Sequence, residues 1–185
     1  TAETVKGIRD GETRKAAQIL GIKNIEFWDY EDYPIPFDKE MEEKMVKKIR
    51  TFRPDIIITH DKYDILNFDH NHASDFVWRC SIMSNSSGVL VEGTRPTKQM
   101  RLFGFEPHQT ELSHYTPGSF VDITESYEQK VEAMKCFQAQ HHLIQYYTDR
   151  AAMRGNHARR LSGNQNYKYA ESFSNFAPVV GEELY

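Results

Sequence analysis

The segment Asn67-Phe68-Asp69-His70-Asn71-His72 places two imidazoles and a carboxylate within six residues. Neutral imidazole is the commonest metal ligand in proteins, and its second ring nitrogen usually needs a carboxylate or carbonyl to fix the tautomer. Asp69 and His70 could supply both parts of such a site. A solvated loop, or a helix capped by an aspartate, would carry the same letters, so this segment by itself leaves a metal site and a purely structural role open.

The elements around this segment alternate in type. Helical spacing of apolar residues predicts helices over Thr4–Leu20 and Lys39–Thr51, and β-prone runs predict strands at Ile25–Trp28 and in the DIIITH stretch that ends at His60. The continuous apolar run of the second strand is typical of a strand buried on both faces. The residues after it read as a loop that runs into a helix over Asn71–Ile82.

The alternation predicts an α/β fold, Rossmann-like and three-layered, with a mostly parallel sheet covered by helices on both faces. Ligands in such folds bind beyond the carboxyl ends of the strands, which is where His60 and the segment from Asn67 lie. Further strands are predicted at Arg101–Phe105 and Ser119–Ile123, with a polar loop between them. Two helices follow, one through Ala139 with Thr124 as its N-cap and one over His142–Arg154 that ends before Gly155.

Length and composition limit the class of protein. The 185 residues favour a single domain over residues 1–185, and the net charge of −4 gives no basic surface for nucleic acid. No apolar run approaches the roughly 20 residues of a membrane span, and the first residues lack a signal peptide's apolar stretch, so we expect a soluble, cytoplasmic protein. Cys80 and Cys136 fall on helical patterns, which favours buried thiols over a disulfide.

Three stretches together resemble one known family. They are Arg9, Glu12, Ala16, Ala17, Leu20 and Gly21 in an RxxE…AAxxLG pattern, RPDIIITHD at Arg53–Asp61, and the Asp69-His70 pair before a helix. This order, which spans most of the chain, resembles the PIG-L or LmbE-like superfamily of zinc-dependent enzymes, which includes N-acetylglucosaminyl deacetylases. The resemblance implies that His70 is a zinc ligand, with another divalent metal as an alternative, and that Asp69 supports the chemistry beside it.

The family's other two protein ligands, a His and an Asp, come from an HPDD-type motif after its first strand, and no such motif occurs here. We therefore expect a domain truncated at its N-terminus, with at least one β-α-β unit of roughly 30 residues before Thr1. Catalytic zinc normally takes three protein ligands and one water. This stretch alone should thus bind zinc poorly and expose a sheet edge.

The branch of the family is indicated by Asn67 and Phe68, because deacetylases carry a His before their Pro-Asp-His. The NFDH motif, FEPHQ at Phe105–Gln109, AQHHLIQYYT at Ala139–Thr148 and RGNHARR at Arg154–Arg160 resemble the 4-oxalomesaconate hydratase branch. That resemblance implies addition of water to a small unsaturated oxo-polycarboxylate in aromatic-acid catabolism. Asn67 is then a candidate catalytic residue in place of the imidazole.

The remaining candidates are assigned by residue type. His108 is the candidate proton carrier, with Glu106 and Gln109 beside it as substrate-binding residues. Arg9 would bind a substrate carboxylate, and Glu12, three residues on, would orient its guanidinium. Tyr147 would reach the substrate through its hydroxyl. The structural alternatives are a loop histidine without contacts, a surface ion pair and a packed ring.

Two other functions stay open at this point. A zinc-dependent deacetylase acting on amino sugars is the alternative enzyme, and a catalytically silent binding module is the alternative without chemistry. The expected partner is a small polycarboxylate, with neither nucleic acid nor membrane. Assembly into a homo-oligomer is left open by the residues.

Overall fold

The protein is described here by a computed structural model that covers residues 2–31, 33–178 and 180. The chain divides into two compact units. The first, called the helical unit, comprises Thr1–Asp29 and Phe120–Glu171, and the second, called the sheet unit, comprises Tyr30–Ser119 and Ser172–Tyr185. The single domain stays a prediction.

The described residues form a mixed four-stranded sheet. Its strands are β1 (Ile56–His60), β2 (Arg101–Phe105), β3 (Ser119–Asp122) and β4 (Ala170–Asn175), hydrogen-bonded in the order β1-β2-β4-β3. β1 and β2 are parallel, from the Ile56↔Arg101 pair to His60↔Phe105, whereas β4 runs antiparallel to β2. The α/β prediction is therefore confirmed, but the sheet is mixed. The sequence AESFSN has too few apolar residues to have predicted β4.

In the sheet unit, helix α2 (Lys39–Phe52) packs on helix α3 (Phe68–Asn85), which in turn packs on β1. Asp38 caps α2 by accepting a hydrogen bond from the Met41 amide at 2.9 Å. Of the apolar positions of the helical pattern, Met41, Val46 and Ile49 are buried and Met45 is half-buried. The amphipathic period that predicted α2 thus gives the face that packs in the core.

Arg50 joins these two helices. Its guanidinium is buried and donates to the carbonyls of Met83, Ser84 and Ser86 at 2.8 to 3.1 Å. The last carbonyls of a helix have no partners within the helix, so a buried cation at this position satisfies them. Arg50 therefore fixes the carboxyl end of α3 against α2.

Strand β1 is less buried than predicted. Ile56 and Ile58 are 44% and 55% exposed, so the prediction of a strand buried on both faces is wrong. β1 stands at one end of the strand order, and alternate residues of a strand share one face. Because Ile56 and Ile58 lie on the same face, that face of β1 is open in the described part of the chain.

The helical unit contains α1 (Ala2–Leu20), α4 (Tyr127–Lys135), a 3₁₀ helix at Gln138–Leu143 and α5 (Ile144–Ser162). α1 packs on α4, where Ala16, Ala17 and Ala133 are buried. Small side chains at these positions let the two helices approach closely. Within the described ranges, no helix is long and apolar enough to cross a membrane.

Several predictions for this unit are wrong in detail. α5 continues through Gly155 to Ser162, so this glycine does not end the helix. A Cβ at this position would overlap the Lys168 carbonyl, and the glycine therefore allows close packing. Thr124 does not cap α4; its hydroxyl accepts from the Lys168 and Tyr169 amides instead.

Residues 25–28 of the helical unit were predicted as a strand and are not one. β-prone composition describes a side chain that fits a sheet, but a strand also needs a hydrogen-bonding partner. In this segment Phe27 packs beneath the Arg14 guanidinium, 4.9 Å from its ring centroid.

Candidate active site

The candidate site begins with the first turn of α3. Asn67 has an extended backbone and accepts hydrogen bonds through Oδ1 from the amides of Asp69 at 3.0 Å and His70 at 3.3 Å. It is therefore the N-cap, and the helix starts at Phe68, three residues earlier than predicted. Asp69 and His70 lie in a helix, not in a loop.

His70 is oriented by a carboxylate that the sequence did not indicate. Its Nδ1 lies 2.8 Å from Oδ2 of Asp64, a residue that is almost fully buried. The other carboxylate oxygen of Asp64 accepts the Leu66 amide at 2.9 Å. Burial of Asp64 opposes ionisation, but the hydrogen bonds from His70 and Leu66 outweigh it and hold the pKa of Asp64 below its ordinary value.

Asp69, the predicted supporting carboxylate, has different partners. Its two oxygens accept the backbone amides of Tyr33 at 2.7 Å and Ile35 at 3.1 Å. The Tyr33 amide is the main reason that the pKa of Asp69 is lowered. Consecutive residues on a helix do not face each other, so Asp69 and His70 point in different directions. The geometry thus gives the orienting role to Asp64 and a loop-anchoring role to Asp69.

His60 lies next to His70 at the carboxyl end of β1. The two imidazole rings stack with centroids 3.9 Å apart, and the His60 ring also packs on Phe105, 4.6 Å away. Burial, reinforced by the neighbouring His70, lowers the pKa of His60 to about 4. His60 is therefore a neutral imidazole at neutral pH and forms a wall of the site.

The loop after β2 carries Glu106, His108 and Gln109. Glu106 accepts hydrogen bonds from Thr110 at 2.8 Å and from Ser172 at 2.6 Å, and Ser172 in turn accepts from the Tyr115 hydroxyl at 3.2 Å. Glu106 thereby links this loop to β4 through hydrogen bonds, in addition to any role with substrate.

The same loop contacts the segment that carries Asp64. The Ile65 amide donates to the Ser113 hydroxyl at 3.3 Å, and β1 and β2 end side by side at the His60↔Phe105 pair. His108 and Gln109, both half-buried, follow the carboxyl end of β2. Asp64 and His70 follow the carboxyl end of the neighbouring strand, β1. The structure brings these candidates to one end of the sheet.

Arg9, Glu12 and Tyr147 belong to the helical unit. Arg9 is exposed on α1. Glu12 accepts the Gln138 amide at 3.0 Å, which ties α1 to the 3₁₀ helix. The Tyr147 ring packs edge-on against Tyr146, with the Arg150 guanidinium 5.6 Å from its centroid. Structural contacts thus account for Glu12 and Tyr147, and their substrate-binding roles stay predictions.

The metal-binding potential of the sheet unit rests on His70. With Nδ1 held by Asp64, its Nε2 is the nitrogen left for a metal, and this arrangement of carboxylate and imidazole is typical of metal-binding histidines. No group of three His, Cys, Asp or Glu residues able to hold a metal occurs in the described ranges. His70 therefore fits one position of a zinc site.

Fold and site together define an α/β protein with a carboxylate-oriented histidine at the carboxyl ends of its strands. Residues 1–81 match the family model PIG-L, described as GlcNAc-PI de-N-acetylase. The whole chain is 33% identical, over 187 residues, to the 4-oxalmesaconate hydratase of Pseudomonas putida and covers 72% of that enzyme.

Two further comparisons point to the same family. The crystal structure of GalB, the 4-carboxy-2-hydroxymuconate hydratase of Pseudomonas putida, superimposes with a TM-score of 0.94 and 34% identity, covering 100% of this chain and 78% of that one. Diacetylchitobiose deacetylase of Thermococcus kodakarensis is 30% identical over 137 residues, which are 70% of this chain and 48% of that enzyme. The chain belongs to the PIG-L family, as the resemblance predicted, and its relatives there include hydratases and deacetylases.

Proposed function

We propose that the protein is a zinc-dependent hydratase that adds water to a small unsaturated oxo-polycarboxylate such as 4-oxalomesaconate. The observation that carries the proposal is the match to hydratases over the entire chain, at 33% and 34% identity. The site supports it, because position 67 holds an amide that caps α3 where a deacetylase would place an imidazole.

His70 is proposed as one protein ligand of the zinc, through Nε2. Bound zinc would supply acidified water or polarise a substrate oxygen. Asp64 would keep His70 in the tautomer with its proton on Nδ1, and the stacked, neutral His60 would keep the His70 ring from turning.

Hydration of a C=C bond places hydroxyl on one carbon and a proton on the other. His108 is proposed to move that proton, since it follows β2 at the same end of the sheet and its loop is held by Glu106 and Ser113. Gln109, from the same loop, is proposed to bind a substrate carboxylate through its side-chain amide. We further propose that the enzyme works in the cytoplasm.

A zinc-dependent deacetylase is the second candidate. It is favoured by the family model over residues 1–81 and by the 30% identity to diacetylchitobiose deacetylase. Its weakness is the Asn67 side chain, which is neither a base nor an acid.

Both functions are tested by assaying the full-length protein, supplied with zinc, on 4-oxalomesaconate and on diacetylchitobiose in parallel. We expect hydration only, lost in His70→Ala together with bound zinc and kept in His72→Ala, which removes an exposed imidazole two residues away. Deacetylation without hydration would favour the second candidate. A protein that binds zinc normally after loss of His70 would contradict the assigned ligand.

A further inference from the structure

Tyr33 is hydrogen-bonded to the first turn of α3 through both its backbone and its side chain. Its backbone amide donates to Oδ2 of Asp69 at 2.7 Å, and its phenol oxygen accepts a hydrogen bond from Nδ2 of Asn67 at 3.2 Å. This turn also carries His70. A residue from a separate loop is therefore fixed to the turn that carries the proposed zinc ligand.

The Asn67 amide has only one orientation that satisfies these contacts. Its Oδ1 is used by the amides of Asp69 and His70, so Nδ2 must face the phenol of Tyr33. Because the phenol oxygen is the acceptor in this contact, the hydroxyl hydrogen of Tyr33 is left to donate elsewhere. The side chain is 68% exposed, so this donor is accessible to a small molecule.

Asp69 makes this arrangement rigid. Asp69 is 6% exposed, and its carboxylate accepts hydrogen bonds from two amides of the same loop, those of Tyr33 and Ile35. Charge-assisted hydrogen bonds of this kind are stronger than neutral ones. Asp69 is thus a positioning residue that acts through Tyr33.

We propose that the Tyr33 hydroxyl binds a carboxylate or keto oxygen of the substrate, with Asn67 and Asp69 holding it in place. The proposal rests on the proposed function and adds a substrate-binding residue to it. Asn67 contributes by donating to the phenol oxygen, which leaves the hydroxyl hydrogen of Tyr33 to donate to the substrate. Tyr33 thereby determines specificity for an anionic, oxygen-rich substrate.

The test measures binding as well as turnover. Tricarballylate, a saturated tricarboxylate that cannot be hydrated, is titrated calorimetrically into the wild-type chain, Tyr33→Phe and Tyr30→Phe. A hydrogen bond to a charged group is worth about 1.5–3 kcal/mol, so we expect a Kd about 10- to 100-fold higher in Tyr33→Phe. Tyr30→Phe, which loses a hydroxyl from the same segment, should bind as the wild type does.

Asn67→Asp provides the second test. Aspartate caps a helix as well as asparagine does, so the melting temperature should stay within a few degrees of the wild-type value. It cannot donate to the phenol, however, and would instead accept a hydrogen bond from the Tyr33 hydroxyl. We expect tricarballylate binding to weaken about tenfold or more, by the same loss of a hydrogen bond.

The outcomes separate the two proposals. Equal affinities in wild type, Tyr33→Phe and Asn67→Asp would overturn the role of Tyr33, even if the chain hydrates 4-oxalomesaconate. Weaker binding in both variants, without hydration by the wild type, would overturn the hydratase and leave Tyr33 as an anion-binding residue. No tricarballylate binding by any form would overturn the carboxylate specificity given to Tyr33.

Discussion

The backbone conformation, and not proximity in sequence, determines which carboxylate orients His70. Asp69 stands next to His70, but a helix rotates consecutive side chains by about 100° and separates them. Asp64, six residues earlier, is brought to 2.8 Å by a turn in which Asn71 bonds to both backbone groups of Asp64. Since α3 was predicted to start at Asn71, the sequence could not decide between the two carboxylates.

The contact between Asp64 and His70 leads to a prediction about zinc affinity. Asp64→Asn keeps the size of the side chain but removes the charge that orients His70, and loss of such partners typically lowers metal affinity about 10- to 100-fold. The dissociation constant for zinc can be measured by competition with a chromophoric chelator. Asp75→Asn, which removes an exposed carboxylate from the same helix, is the control. Equal zinc affinities in the two variants would contradict the role of Asp64.

The two cysteines should differ in reactivity. Cys80 is fully buried in α3, and burial raises the pKa of its thiol to about 11. The reactive species is the thiolate, so at pH 8 only about one Cys80 thiol in a thousand would be ionised. With Ellman's reagent at pH 8 we expect one fast-reacting thiol per folded chain, Cys136, and none in Cys136→Ser. A second fast thiol before unfolding would show that Cys80 is reached in the native state.

At the scale of elements, the sequence predicted those with a strong period. α1, α2, β1, β2 and β3 lie where the apolar patterns placed them, to within about two residues at most ends. The sequence did not predict the elements whose formation depends on tertiary contacts. Residues 25–28 have the composition of a strand but are not one, and β4 has little apolar pattern of its own yet pairs with β2.

Gly155 shows how such a contact can be tested. In sequence it resembled a helix end, but it lies inside α5, where a Cβ would overlap the carbonyl of Lys168. Gly155→Ala should therefore reduce the free energy of unfolding by about 3 kcal/mol, the upper range for overpacking. Gly7→Ala, at an exposed helical site with nothing within 4 Å of the new Cβ, should increase it by about 0.5–1 kcal/mol.

These opposite signs are measured by urea denaturation followed by circular dichroism. Both variants exchange glycine for alanine in a helix, so helix propensity favours both equally. A stabilising Gly155→Ala would mean that α5 and the segment at Lys168 do not pack as closely as the structure gives.

For the whole molecule, the exposed face of β1 is the feature with consequences for assembly. Ile56 and Ile58 lie side by side on a strand at one end of the sheet order, and the net charge of −4 is modest for a chain of 185 residues. Exposed apolar strands at a sheet edge are templates for pairing with another chain, and natural proteins commonly block them with charges. Neither isoleucine is replaced by such a charge here.

We therefore expect the chain to self-associate as its concentration rises. Light scattering after size-exclusion chromatography, run between about 5 and 500 μM, should show a mass that increases from that of the monomer. A lysine at position 58 places a charge on the open face, so Ile58→Lys should shift association to about tenfold higher concentration, roughly 1.4 kcal/mol. Thr51→Lys, at an exposed site on α2, adds the same charge without touching β1 and serves as the control. A monomer at every concentration would show that the open face of β1 does not drive assembly, and an equal shift in both variants would assign the effect to net charge.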